Sequence, residues 1–442
     1  MLDGRQTSAA PDSVVSATRL RISRSLHAFW RESVRTPWKN FRRRWRSARA
    51  AKSGLGVRVE VDETTELALV PFAGRMPPPM SQCTVVEARQ YPVRLHPLSQ
   101  NSTHDERRHY ADHSVSAPAM TLEHLVDQYW HPALGLLISR EGRIWRHSFL
   151  GPFQEGYLTS VKAIVDRPLP DGGTGHFFHE ERLGRVETIS GEHLLMANSE
   201  RPNYGHYLLD IVPLAYVGAK IDAPMLSWPL KDWQRTLLKR LEVPERRIRE
   251  IRAKPVFLDH PIVSNRLSGA SSLHAHPHHR EAFAQILSNV RKHAGAARTT
   301  PKRVLLCRSL GYSRNIANRA AMIEALAHLG FAAIQPEKLT FDEQALTFAD
   351  AEIIVIEFGA AMANAMFCPP GTTVVEIIAE GQDDPFSAHL AAMLELNHVV
   401  LFQRQSDAEK RRSQSRRLKD ARFVFSVDVA RLVQTVKALI AR

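Results

Sequence analysis

The apolar positions of the last third fall into short runs separated by longer, helix-periodic stretches. Arg303 to Cys307, Phe331 to Ile334, Glu352 to Ile356 and Thr373 to Ile377 are brief apolar segments rich in β-branched residues, the signature of buried strands. Between them the pattern predicts a polar loop through Asn318 and a helix from Arg319 to Leu329, stopped by Gly330. A second helix is expected from Phe341 to Phe348, where Thr340 and Glu343 stand at capping-box spacing. Gly359 opens a turn into a third helix of small residues, Ala360 to Phe367, ended by Pro369-Pro370-Gly371. Strands alternating with helices in this way imply a parallel, doubly wound sheet, which binds ligands beyond the carboxyl ends of its strands.

The first half shows the same alternation less cleanly. Leu134 to Ile138 and Arg143 to Trp145 flank Glu141-Gly142 and predict a hairpin. His193 to Ala197 reads as a strand, followed by a loop from Asn198 to Gly205 and a helix from His206 to about Val217. A further strand at Pro224 to Ser227 and a helix around Trp233 to Leu241 complete an α/β layer. Met76-Pro77-Pro78-Pro79 reads as a linker-like break, and Asn101 to Ser116 as a polar loop. Three regions follow: an arm at 1–58, an α/β domain at 59–295 and a second at 296–442.

Composition changes the picture mainly at the N-terminus. The chain has 442 residues, 44% of them hydrophobic, so it has the material for real cores, and its formal net charge of +13 implies an anionic partner. From Arg19 to Arg49 the sequence is dense in arginine, with Leu26, Phe29, Trp30, Trp38, Phe41 and Trp45 at spacings of three and four that gather them on one helical face. Such a basic amphipathic segment, broken at Pro37, suits an anionic membrane surface; a solvated arm is the plain alternative, and nucleic acid ranks third. No run approaches the roughly 18 apolar residues of a membrane span, and Cys83, Cys307 and Cys368 form no C-x-x-C pair. The expected location is therefore cytoplasmic, peripheral at the inner membrane.

Five groups of residues can carry chemistry. Gly359-Ala360-Ala361 through Asn364 follow a buried strand, where small side chains let a phosphate approach the backbone. Arg308, Arg314 and Asn318 lie in one loop after another strand, and guanidinium forks match phosphate oxygens. Glu376 falls late in the next strand, where an acid can bind ribose hydroxyls. His206 and Asp210, four apart on one helical face, form a histidine–carboxylate pair fit for general-base work. The cluster His274, His276, His278 and His279 has no acidic or cysteine partner at a ligand spacing and reads as a polar loop rather than a metal site.

The pairing of Asn203-Tyr204-Gly205-His206…Asp210 with Gly359-Ala360-Ala361…Asn364…Phe367…Pro370-Gly371…Val375-Glu376 resembles glycosyltransferase family 61, whose bacterial members include capsular polysaccharide biosynthesis enzymes. Arg314…Asn318, Pro336-Glu337 and Glu343-Gln344 extend the resemblance to roughly residues 130–400. It implies an α/β, GT-B-like architecture in which two Rossmann-like domains face across a cleft, preceded by the basic arm. It also implies inverting transfer from a nucleotide-sugar, usually a UDP-sugar, to a saccharide or lipid-linked acceptor, with no cofactor and no obligatory metal. By the same resemblance Arg308, Arg314 and Asn318 serve the donor site; Gly359, Ala360 and Asn364 stand near the diphosphate, and Glu376 near the nucleoside. His206 and Asp210 line the acceptor side, with Asp210 as the favoured base and His206 as its rival. Two positions depart from the family pattern: Phe358 stands where a histidine is common, and Arg319 where a glutamate is frequent. The first of these motivates an alternative, a catalytically inactive binding or scaffold protein of the same fold.

Overall fold

The structure is a computed structural model that describes residues 56–62, 67–94, 96–99, 113–132, 135–145, 161–197, 203–252, 254–267, 275–294, 300–308, 315–379, 386–412 and 423–442. The arm at 19–49, His274 and Arg314 lie outside the described residues. The chain divides into two compact units. In the smaller unit, the strand Thr174–Phe178 pairs antiparallel with Ile164–Pro168 on one side and Val57–Arg58 on the other. The larger unit holds residues 61–154 and 185–442.

Two sheets organise it, the first mixed and the second all parallel. In the first, strands Ile248–Glu250, Met225–Ser227, Glu187–Met196 and Val256–Ser264 run parallel in that spatial order, the 3-2-1-4 arrangement of a Rossmann-like half. Val256–Ser264 also pairs antiparallel with Met120–His124 and Gln128–His131, which lead into the expected hairpin of Leu136–Ser139 and Arg143–Trp145. The strand foreseen at His193 begins earlier, at Glu187. Its first half is polar, and a register shift at Ile189/Glu192 with Gly191 at φ 92° breaks the alternation that pattern reading needs. The Met76–Pro79 stretch is tied in rather than linking, since His124 Nδ1 bonds the Pro77 carbonyl at 2.7 Å. Residues 113–116, foreseen as the end of a loop, belong to the strand His113–Ala117, which pairs with Arg89–Val93 as a two-stranded ribbon.

The second sheet has five parallel strands. In chain order they are Arg303–Leu306, Ala332–Ile334, Ile353–Glu357, Thr373–Ala379 and Asn397–Gln403, and in space they follow 2-1-3-4-5. The expected doubly wound sheet is thus present, with its order reversing between the first and third strands. The Thr340/Glu343 capping box forms as read. One helix differs from expectation: Ala360–Phe367 is wound as a 3₁₀-helix, its first turn closed from Met362 N–H to the Gly359 carbonyl at 2.9 Å. The tighter winding rises about 2.0 Å per residue against 1.5 Å for an α-helix, so eight residues reach further across the sheet.

The two sheets share one apolar core. Helix Pro277–Ala294 sets Phe283 against Phe367 at 5.0 Å, and Phe367 meets Phe341 at 5.9 Å. Arg240 on the first half forks onto Asp342 on the second. Burial of this kind also governs the thiols. Cys83, Cys307 and Cys368 are all buried, and desolvation raises each thiol pKa, that of Cys307 to about 12. Ellman's reagent at pH 8 is therefore expected to titrate none of the three thiols in the native protein and all three in denaturant; rapid native labelling of Cys307 would contradict its enclosure.

Candidate active site

The helix that begins at Tyr204 is shaped by a proline. Asn203 caps it, its Oδ1 accepting from the Gly205 and His206 backbone N–H groups. Nine residues in, Pro213 removes the N–H that an α-helix would offer the Leu209 carbonyl, and its ring crowds that same carbonyl. The chain responds by widening: residues 207–211 form a π-turn, closed from Val212 N–H back to the Tyr207 carbonyl. Two side chains occupy the place left at Leu209. Arg266 Nη2 donates to its carbonyl at 2.6 Å and His279 Nε2 at 2.8 Å. The His276 backbone N–H donates to His279 Nδ1, which puts the ring proton on Nε2. Burial holds the His279 pKa well below its usual value, as a neutral donor requires.

Arg266 does a second task. Its Nη2 also lies 3.1 Å from Asp210 Oδ1, while His206 Nδ1 lies 2.9 Å from Asp210 Oδ2. Asp210 and Arg266 are fully enclosed, whereas the His206 side chain keeps 17% of its surface exposed. Burial lowers the Arg266 pKa and the Asp210 charge opposes that fall. The carboxylate accepts from Nδ1–H of His206, which leaves the basic lone pair on Nε2. Of the two residues, only His206 has a surface at which to meet a substrate.

One turn away, a cavity of about 290 Å³ opens at the point where the second sheet reverses its strand order. Leu306 pairs with both Ile334 and Ile356, so Arg308, Pro336-Glu337 and Glu357 all leave the sheet at one edge, and all of them line the cavity. Ala360, Ala361, Gln344 and Tyr204 add to the wall, with Leu306, Cys307 and Ile356 as its apolar part. Tyr204 therefore joins the cavity to the helix of His206. Its hydroxyl donates to Asn364 Oδ1 at 2.6 Å, and Asn364 Nδ2 donates to Gln344 Oε1 at 3.1 Å. The backbones are close here: a Cβ built at Gly205 would stand 3.5 Å from Ala360, in ordinary van der Waals contact. Gly359, at φ 152° and ψ −169°, occupies backbone space that belongs to glycine.

Charge in the cavity is divided. Arg308 Nη2 donates to the Phe358 carbonyl at 2.7 Å; burial lowers its pKa while Glu357 and Glu337 hold it up. Glu357 is buried against Arg319, at 3.1 Å, and desolvation raises its carboxyl pKa against the pull of Arg319 and Arg308. Arg319, which departs from the family pattern, is thus matched by an acid in the same fold. The Phe358 ring turns away from this chemistry, packing on Phe386 at 5.6 Å in a cluster with Ile378, Val400 and Phe402.

The expected site residues divide accordingly. His206, Asp210, Arg308, Ala360 and Gly359 gather at the cavity and the turn beside it. Asn364 is fully buried and braces Tyr204. Asn318 is spent on the Val427 backbone, donating to its carbonyl and accepting from its N–H. Glu376 lies in the middle of its strand, fully buried, with His398 Nε2 3.0 Å from its carboxylate, so its reach is to His398 and not to the strand's carboxyl end. Glu337 entered the sequence reading only within the family resemblance and Glu357 was given no role there; Arg266, and the part His279 plays at Leu209 rather than in a polar loop, escaped it. No local motif marks them; Pro213, set inside a helical pattern, was the one signal that a carbonyl there needed outside donors. Among the described residues no group of three His, Cys, Asp or Glu side chains is placed to hold a metal ion, and no helix is long and apolar enough to cross a membrane.

Residues 204–375 match the family model of Glycosyltransferase 61. The match begins at the cavity tyrosine and ends one residue before Glu376, so it takes in the helix of His206, Arg266 and the whole edge at which the cavity opens. It supports a transferase of the glycosyltransferase 61 type, acting in general between a nucleotide-sugar donor and a saccharide acceptor. No curated protein matches the chain. The buried pair beside His206 should also matter for stability. Arg266→Met strands the Asp210 charge and should lower stability by about 3–5 kcal/mol. His206→Ala, at a partly exposed position, should cost about 1 kcal/mol or less. Thermal melting of both variants checks the contrast, and equal losses would contradict it.

Proposed function

We propose that the protein is an inverting glycosyltransferase of GT-B-like design that moves a sugar from a UDP-sugar to a saccharide or lipid-linked acceptor in bacterial surface polysaccharide synthesis. The observation that carries this reading is the shared wall: Tyr204 lines the switch-point cavity and lies two residues from a histidine oriented by a buried carboxylate. In this reading the acceptor hydroxyl gives its proton to His206 Nε2 as its oxygen attacks the anomeric carbon. Asp210 stabilises the imidazolium and, being enclosed by Arg266, acts through His206 rather than on the acceptor. The bond from the anomeric carbon to the diphosphate oxygen breaks, and the nucleoside diphosphate leaves with an added negative charge. Arg308, with Arg314 of the same loop, meets that charge, so the reading calls on no metal. The arginine-rich arm holds the protein at the inner membrane, near lipid-linked acceptors.

The rival reading, an inactive scaffold, rests on Phe358, whose ring is packed into the core behind the cavity. Calorimetry with UDP, without added metal, separates the two. Micromolar binding that weakens about tenfold or more in Arg308→Ala supports the donor site. Failure of every nucleoside diphosphate to bind would favour the scaffold. His206→Ala should keep UDP affinity yet lower UDP release from a UDP-sugar, in the presence of polysaccharide extract, by about 10²–10⁴-fold.

A further inference from the structure

We infer that Glu337 is the residue that recognises the donor's ribose, and that this site selects ribonucleotides over deoxyribonucleotides. The inference rests on the donor-site reading above and assigns the two ends of the cavity. Strand Ala332–Ile334 is second in chain order and lies beside the first strand, with the Cys307 N–H bonded to the Ile334 carbonyl at 2.8 Å. The turn Pro336–Lys338 that follows it therefore stands next to Arg308 at the carboxyl edge. In doubly wound nucleotide folds an acid placed downstream of the phosphate-binding turn accepts hydrogen bonds from ribose hydroxyls, because one carboxylate offers two oxygens to a vicinal diol.

The other acids of this sheet do not meet that need, because they lack exposure: Glu357 is 5% exposed and Glu376 is fully buried. Glu337 is exposed and lines the cavity. Arg308 and the small residues Ala360 and Ala361 offer a diphosphate a cation and a close approach to the backbone, and Glu337 stands beside that cation. The uncharged nucleoside then falls toward Pro336 and Glu337, with Leu306 and Ile356 as apolar wall.

The test compares UDP, 2′-deoxy-UDP and 2′,3′-dideoxy-UDP by calorimetry on wild type, Glu337→Ala, Glu337→Gln and Arg308→Ala. Wild type should bind UDP about tenfold or more tighter than the dideoxy compound, the worth of charged hydrogen bonds to a diol. Glu337→Ala should bind the three within about twofold of one another, with Glu337→Gln in between. Arg308→Ala should weaken all three by a common factor and keep their ranking. Discrimination that survives in Glu337→Ala, or is missing in wild type that binds UDP, overturns the inference and spares the donor site. Wild type that binds none of the three overturns both.

Discussion

The arrangement around His206 depends on one backbone carbonyl. Pro213 denies Leu209 its helical donor, and a buried carbonyl left without one costs free energy of the order of a lost hydrogen bond, about 1–3 kcal/mol. The protein supplies Arg266 and His279 from distant parts of the chain. Once Arg266 is fixed there, its charge needs an anion, and Asp210 sits one residue along the same widened turn. Once Asp210 is anchored, it orients His206. A local steric conflict is thereby converted into a fixed imidazole.

The second constraint is the edge at which the five-stranded sheet reverses its order. Three loops leave that edge together because Leu306 has a strand on each side, and divergent crossovers open a space that side chains alone do not fill. The protein lines the space with one cation and two acids, and closes one wall with a tyrosine from the other half of the unit. The two halves come within contact at Gly205 and Ala360. The same core continues behind the cavity through Phe283, Phe341 and Phe367.

Much of the second sheet was legible because its strands are short, largely apolar and punctuated by Gly330, Thr340 and Gly359, where local preference and burial agree. The His206–Asp210 pair was also legible, since a spacing of four survives the π-turn. Three things were not. The winding of residues 360–367 depends on packing and leaves no mark in a run of alanines. Glu376 stands one residue before the foreseen strand end at Ile377, but the strand runs on to Ala379, and its burial beside His398 comes from the next strand's register. Arg266 and His279 lie 56 and 70 residues from their partners, beyond any window in which periodicity carries information.

The hydrogen-bonded series Tyr204–Asn364–Gln344 has a thermodynamic consequence. Its two ends, Tyr204 and Gln344, face the cavity, its middle is buried, and Tyr204 shares a helical turn with His206. A ligand that orders Tyr204 therefore also narrows the motion of the imidazole two residues on. By reciprocity, a ligand that engaged the imidazole would tighten the cavity around its own ligand by the same factor. Two ligands bound at these places would be coupled through the protein's own interior, without having to touch.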